Sequence, residues 1–329
     1  MRLFRWQQIL LILVTFYAGQ VFAAGKIDDL LEQADKVRSS DRVSFNRVMS
    51  ELATHKSQMS SEQFNVLQLL EGYKAGIEGN YKSAETLLNQ LINSDALLEV
   101  RFRAAFTLAN IQSLSRNFVP AFTNLNLALS WIDKIEKPEL RVQVLISAAY
   151  TYSESGLFDE SQSYILQARQ NTLTNRDSCL LGLLYRQNMH SRNETYEGEQ
   201  VSEIEQACTS ANERLALAFM TALDAQLLES KQQHAAAYAL LQDGLAAAEQ
   251  SKYPRLIADY YLGLARTSYA LKEVTSATLY LDKIHAMNQS LGFSMPLVRS
   301  YELQTQIAEE SNDISRALKF HKLFLKADR

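Results

Sequence analysis

The chain has 329 residues and a formal net charge of −4 at pH 7, and its 11 glycines and 4 prolines make up under 5% of it. Ordinary globular chains carry about 12% of the two together, so turn-dense all-β folds and glycine-rich nucleotide-binding folds are disfavoured. Apolar residues at 47% and charged residues at 21% supply a sizeable core and exclude a disordered chain, and the mildly acidic balance is a poor match for nucleic acid or anionic membrane surfaces.

Taken in chain order, Met1 to Gln8 carries Arg2 and Arg5 and no acid, and Ile9 to Ala18 is an almost unbroken apolar run. Val21-Phe22-Ala23 then places small residues three and one before a cut. This predicts a secretory signal peptide over residues 1–23. An uncleaved anchor is the alternative, but the apolar run falls short of the roughly 20 residues that cross a bilayer. Cleavage removes the two arginines and moves the net charge from −4 to −6. With no Cys after the run, no lipoprotein anchor is expected, nor any transmembrane span once the leader is gone. An N-terminal segment, 24–60, is expected to hold one helix pair over about 27–57. A repeat array, 61–329, is expected to follow with pairs at about 61–94, 97–136, 138–172, 177–212, 213–251, 254–291 and 296–327.

The array rests on self-similarity. An apolar or ring-bearing residue followed three positions later by a small one recurs after a polar break: Tyr81 with Ala84, Phe118 with Ala121, Phe158 with Ser161, His234 with Ala237, Val274 with Ala277 and Ile314 with Ala317. The spacings are 37, 40, 76, 40 and 40, and the midpoint of the long gap falls on Tyr196, which predicts a degenerate unit there. Twelve residues before each small residue stand Gly72, Ala109, Ala149, Ala225, Ala265 and Thr305, and four after it Leu88, Leu125, Ile165, Leu241 and Leu281, with His321 out of line. Small residues at two fixed offsets let antiparallel helices approach, and the large residue one turn on fills the groove between them. Pro138, Pro254 and Pro296 mark helix starts, and Pro120 falls in a first turn. Breaks such as Gly79-Asn80 and Gly156-Leu157 end first helices.

These residues resemble the tetratricopeptide repeat over roughly residues 61 to 327, which implies an all-α, right-handed superhelix of tandem helical hairpins. Two features depart from that pattern: the period is 37–40 rather than 34, and the unit around Tyr196 has Gln187 and Glu199 where small residues are expected. Long-period repeats behind a signal peptide also resemble the periplasmic input region of membrane-bound diguanylate cyclases. The Gly-Gly-Asp/Glu-Glu-Phe signature and second long apolar segment of that family are absent from this sequence, so cyclase activity is not implied.

Cys179 and Cys208 sit equidistant from the turn of one hairpin, which favours a disulfide over two independent buried thiols in an oxidising compartment. The five histidines form no metal-ligating pair, and no nucleophile elbow or phosphate loop is present. His234 occupies an aromatic slot of the repeat, which suggests packing. No enzymatic activity, cofactor or metal is therefore expected. Asn193-Glu194-Thr195 and Asn288-Gln289-Ser290 match the glycosylation pattern, meaningful only in a eukaryotic secretory pathway, which the resemblance argues against. The family's geometry implies that first helices line a concave face, with Tyr73, Arg103, Asn110, Tyr150, Gln226, Asp259, Arg266 and Tyr269 on it. Tyrosine rings and arginine forks there suit a protein or peptide partner, a membrane-bound signalling protein included. A periplasmic small-molecule sensor is the second expectation.

Overall fold

A computed structural model of the chain describes residues 25–192, 194, 198–292 and 294–327. The expected signal peptide lies outside the described residues. The described residues are all-α, with no strand among them. Helix α1 covers residues 25–37 and is followed by α2 (Arg42–Thr54), α3 (Ser61–Ile77), α4 (Tyr81–Ile92), α5 (Leu98–Leu114) and α6 (Phe118–Leu129). Next come α7 (Pro138–Glu154), α8 (Phe158–Arg169), α9 (Asn175–Ser191), α10 (Gly198–Ser210), α11 (Arg214–Ser230) and α12 (His234–Gln250). The chain continues with α13 (Pro254–Ala270), α14 (Val274–Ala286), the four-residue α15 (Asn288–Leu291), α16 (Met295–Glu310) and α17 (Ile314–Ala327). Odd- and even-numbered helices up to α14, then α16 and α17, pack as antiparallel hairpins, and successive first helices pack side by side.

The small-large pattern operates as contact geometry. Ala84, Ala121, Ser161, Ala237 and Ala277 are fully buried, as are Ala109, Ala149, Ala225 and Ala265 opposite them. Leu88, Leu125, Ile165, Leu241 and Leu281 fill the grooves at no more than 1% exposure. A Cβ built on Gly72 would stand 2.8 Å from Leu88, and one on Gly263 would stand 2.6 Å from Leu241. Each plugged leucine contributes roughly 1.5–3 kcal/mol of burial, repeated along the stack.

The turn between the two helices of a hairpin is equally regular. Gly79, Arg116, Gly156, Gln232, Lys272 and Asn312 all take positive φ, between 56° and 82°. The next residue's N–H reaches back five positions: Asn80 to Ala75 at 2.8 Å, Asn117 to Gln112 at 2.8 Å, Glu273 to Ser268 at 2.8 Å. This left-handed cap satisfies carbonyls that the ending helix leaves open.

One register differs from expectation. The unit centred on Tyr196 was to have Gln187 in its small slot, but α9 starts at Asn175, which puts Arg186 at the twelfth helical position where the other units have Gly72, Ala109 or Ala149. The chain from Arg192 to Glu197 makes this hairpin connection longer than the usual three residues, and the extra residues displaced the midpoint. Arg186 is 1% exposed and paired with Asp224 of α11. Glu199 has no described side chain. In the same hairpin Cys179 and Cys208 form the disulfide, with Cα atoms 4.7 Å apart, and Gly182 lets Ile204 approach to 2.6 Å of its Cβ position.

The array winds far enough for its two halves to touch. Ser39, after α1, donates to Glu213 at the start of α11 (3.2 Å) and accepts from Arg176 of α9 (2.8 Å). A Cβ on Gly79, in the α3–α4 turn, would fall 2.2 Å from the Ser290 carbonyl oxygen, so backbone meets backbone there. Arg255 at the start of α13 pairs with Glu154 at the end of α7 at 3.3 Å.

Candidate ligand-binding cavity

Because the halves meet, the concave face forms a partly open cavity of about 810 Å³. Its main row of side chains comes from one position: the thirteenth residue of α3, α5, α7, α9, α11 and α13, namely Tyr73, Asn110, Tyr150, Gln187, Gln226 and Arg266, all of which line it. That position faces inward because its neighbour, the twelfth, is in every one of these helices but α9 the small residue pressed against the hairpin partner. Asp259, two turns earlier on α13, also lines the cavity.

Six of the eight residues expected on the inner face border this space: Tyr73, Asn110, Tyr150, Gln226, Asp259 and Arg266. Arg103 does not. Its guanidinium turns to Asp35 of α1, whose carboxylate burial would push up but whose neighbours Arg38 and Arg103 hold below the usual range. Tyr269 does not either, since it lies in the last turn of α13, beyond the wall, and its hydroxyl donates to Glu310 of α16. Its phenol is raised to about 12 by burial and by that carboxylate.

Several wall residues were not anticipated. Gln187 shares the helical position of Asn110 and was misread only because of the register shift. Gln143, Arg38, Arg42, Arg176, Glu154, Arg255 and His190 complete much of the polar lining. Six arginines (Arg38, Arg42, Arg176, Arg255, Arg266 and Arg299) and four carboxylates (Glu154, Asp177, Glu213 and Asp259) line the cavity, and Asp35, Glu78, Glu229 and Glu302 pair with Arg38, Arg42, Arg266 and Arg299 from behind the wall. No periodicity marks these residues, because the arginines at 38, 42, 176 and 255 stand at helix ends that meet only when the superhelix closes.

Local chemistry divides the wall. Around Tyr73, the ring lies 5.1 Å from the Arg38 guanidinium and edge-on to Phe45 at 6.0 Å. Burial raises its phenol while Arg38, Arg176 and Arg42 oppose the shift. Around Tyr150, burial and then Glu154 raise the phenol well above its ordinary value. Burial disfavours the charge on Arg255, but Glu154 and Asp259 hold it firmly protonated. Burial also raises Asp259 despite Arg255 at 3.2 Å. His190 is lowered by burial and by the charge of Arg266. Arg266 donates to Glu229 at 2.8 Å. Asn110 donates to Ser147 at 3.0 Å, leaving its Oδ1 without a donor, as is Oε1 of Gln143. Apolar wall residues such as Phe106, Ile146 and Phe219 alternate with these groups. Among the described residues no cluster of His, Cys, Asp or Glu could hold a metal ion, and no helix is long and apolar enough to cross a membrane.

No protein-family model matches the chain, and no curated protein sequence matches it. Among solved structures the chain is similar to the Rap protein complexed with competence and sporulation factor, with a TM-score of 0.63 and 12% identity over 92% of this chain and 98% of that one. At that identity the likeness concerns the fold, which is a tetratricopeptide-like helical repeat.

Proposed function

We propose that the protein is a non-enzymatic, exported repeat scaffold whose concave face holds a short peptide, as the input or adaptor part of a bacterial signalling system. The observation that carries this reading is the row of thirteenth-position side chains, presented from the first helices of six successive hairpins into one volume. Amide side chains in that row both donate and accept, as an extended peptide backbone requires, and rigid tyrosines flank them. A concave space of about 810 Å³ is of the size that takes a few residues of extended chain. The likeness to the Rap protein, solved in complex with competence and sporulation factor, supports binding as the role of such a scaffold. Export is supported by the N-terminal segment and by the disulfide, a bond that persists in oxidising compartments. The signalling role, with a membrane-bound protein downstream, rests on the resemblance to the periplasmic input regions of cyclases.

The cavity volume also falls in the range of small-molecule sites, which keeps a solute sensor as the second reading. Both are tested by purifying residues 24–329 natively from a periplasm, denaturing the protein and identifying what it releases by mass spectrometry. A peptide, reduced in the Tyr150→Ala, Arg266→Ala double variant, supports the first reading. A metabolite supports the second, and unchanged occupancy of the variant refutes the site.

A further inference from the structure

Two neighbouring first helices, α9 and α11, present apolar side chains to the cavity where equivalent positions of other repeats are polar. At the sixth position of the first helix, α5, α7 and α13 carry Arg103, Gln143 and Asp259, whereas α9 and α11 carry Leu180 and Phe219. At the tenth, α5 and α7 carry Thr107 and Ser147, whereas α11 carries Leu223. The repeat itself therefore requires no large apolar residue at these places. Leu180, Phe219 and Leu223 all line the cavity, together with Leu183 at the ninth position of α9. These four side chains are half-buried and keep surface that an occupant can touch, unlike the buried Phe106, Leu184 and Leu262 of the same wall. Phe219 meets Tyr253 edge-on at 5.9 Å, and Leu183 packs its other side against the cluster around Cys179 and Cys208. Among the described residues, Leu180 and Leu223 pack into none of the hydrophobic clusters that hold the array. Apolar surface left wet inside a concave site is matched by an apolar occupant.

The patch lies directly beneath two members of the thirteenth-position row. From Gln187 of α9, Leu183 stands one helical turn back and Leu180 two; from Gln226 of α11, Leu223 stands about one turn back and Phe219 two. A peptide backbone that follows the row crosses these helices. An extended chain turns every second side chain to one face, about 7 Å apart, and helices packed side by side stand about 8–10 Å apart. Residues i and i+2 of such a chain therefore send one side chain onto each helix. One to two turns is a depth of roughly 5–11 Å, which suits Leu, Met or Phe better than Ala or Val.

We propose that Leu180, Leu183, Phe219 and Leu223 form an apolar subsite of the cavity, which takes the large apolar side chains of two residues, i and i+2, of the bound peptide. This rests on the peptide reading above. The test equilibrates residues 24–329 with three pools of pentapeptides built on Ser, Thr, Asn and Gly, and measures retained peptides by mass spectrometry. The first pool carries Leu, Met or Phe at positions 2 and 4, the second carries the same residues at 2 and 3, and the third carries none. The first two share one composition, so indiscriminate hydrophobic adhesion retains them alike. The first pool is retained about tenfold or more over the second, the effect of burying one further leucine-sized side chain, and the third least of all. The preference falls to parity in the Leu180→Gln, Leu223→Gln double variant, which keeps the fold because neither leucine belongs to a core cluster. It persists in the Leu180→Met, Leu223→Met variant.

Equal retention of the first two pools by the wild-type chain overturns the subsite and leaves the peptide reading standing, whether or not the variants fold. A preference that survives in the folded Gln double variant overturns it equally. Retention of no pool overturns the peptide reading, and the subsite is then judged by native mass spectrometry with octanoylglycinamide against acetylglycinamide. Binding of the octanoyl compound alone, lost in the Gln double variant, sustains an apolar subsite. Equal binding of the two compounds, or binding that survives in that variant, overturns it.

Discussion

Gly79 and Gly156 form a matched pair that isolates closure of the superhelix. Both stand at the same place in their hairpin turns, with φ of 81° and 82°. A Cβ at Gly156 meets nothing within 4 Å, whereas one at Gly79 would lie 2.2 Å from the Ser290 carbonyl oxygen and 2.6 Å from its Cα. Gly156→Ala therefore carries only the left-handed penalty, about 1–2 kcal/mol. Gly79→Ala carries the same penalty and also forces two stretches of backbone apart. Its neighbours in the seam, the Gly292 contact with Tyr81 and Ser115 and the Arg116 contact with Met295, move with it. Losing that packing adds about 1–3 kcal/mol, the usual scale of an overpacked contact. The expected result is a larger fall in melting temperature for Gly79→Ala than for Gly156→Ala. Small-angle X-ray scattering should show an increased radius of gyration for Gly79→Ala alone, with weaker retention of the cavity's ligand. Equal melting shifts and equal radii for the two variants would refute the claim that the seam at Ser290 bounds the cavity.

Other outcomes follow from individual residues. Cys208→Ala removes a bridge spanning 29 residues, and the chain-entropy account puts the loss at about 3–4 kcal/mol; thermal melts with and without reductant should agree with it for the wild type and show no reductant effect in the variant. Lys272 holds φ of 68° with a full side chain, so Lys272→Gly should stabilise the fold by about 0.5–1 kcal/mol in urea titrations, the relief of left-handed strain less the added freedom of glycine when unfolded. His285 packs against Tyr301 at 4.9 Å and Phe320 at 5.3 Å, and burial lowers its pKa to about 4. The unfolded chain then binds the proton first. Stability contributed by neutral His285 is fully present above about pH 6.5 and falls as pH drops toward 4; His285→Phe should flatten that part of the stability profile.

Much of this architecture was readable along the chain. Hairpin register depends on close approach of two helices, which leaves a local signature: Ala84 opposite Gly72, Ala121 opposite Ala109, Ala277 opposite Ala265, each with a leucine one turn on. Turn residues and prolines punctuated the same helices, and a symmetric pair of cysteines marked the disulfide. Where the local signature failed, the cause was local too. Extra residues after Ser191 shifted one unit, so Gln187 was read as an aberrant small slot when its side chain is a rung of the cavity wall.

The thirteenth-position row was accessible because it sits beside the small residue in every unit but that of α9, where Arg186 takes the small residue's place. Arg103 and Tyr269 share an inward-leaning phase, but each is claimed by a carboxylate from another hairpin, Asp35 and Glu310, and those meetings are set by how adjacent pairs stack. The closing of the groove and the gathering of arginines and carboxylates on its wall had no counterpart in periodicity. They arise where residues far apart in the chain, Ser39 with Glu213, Gly79 with Ser290 and Glu154 with Arg255, are brought together by the accumulated twist of eight hairpins. Sequence determined the unit and its contacts with itself, because those interactions lie within one repeat. Tertiary structure alone decided the cavity, because a small rotation per repeat, summed along the array, determines whether the two halves meet.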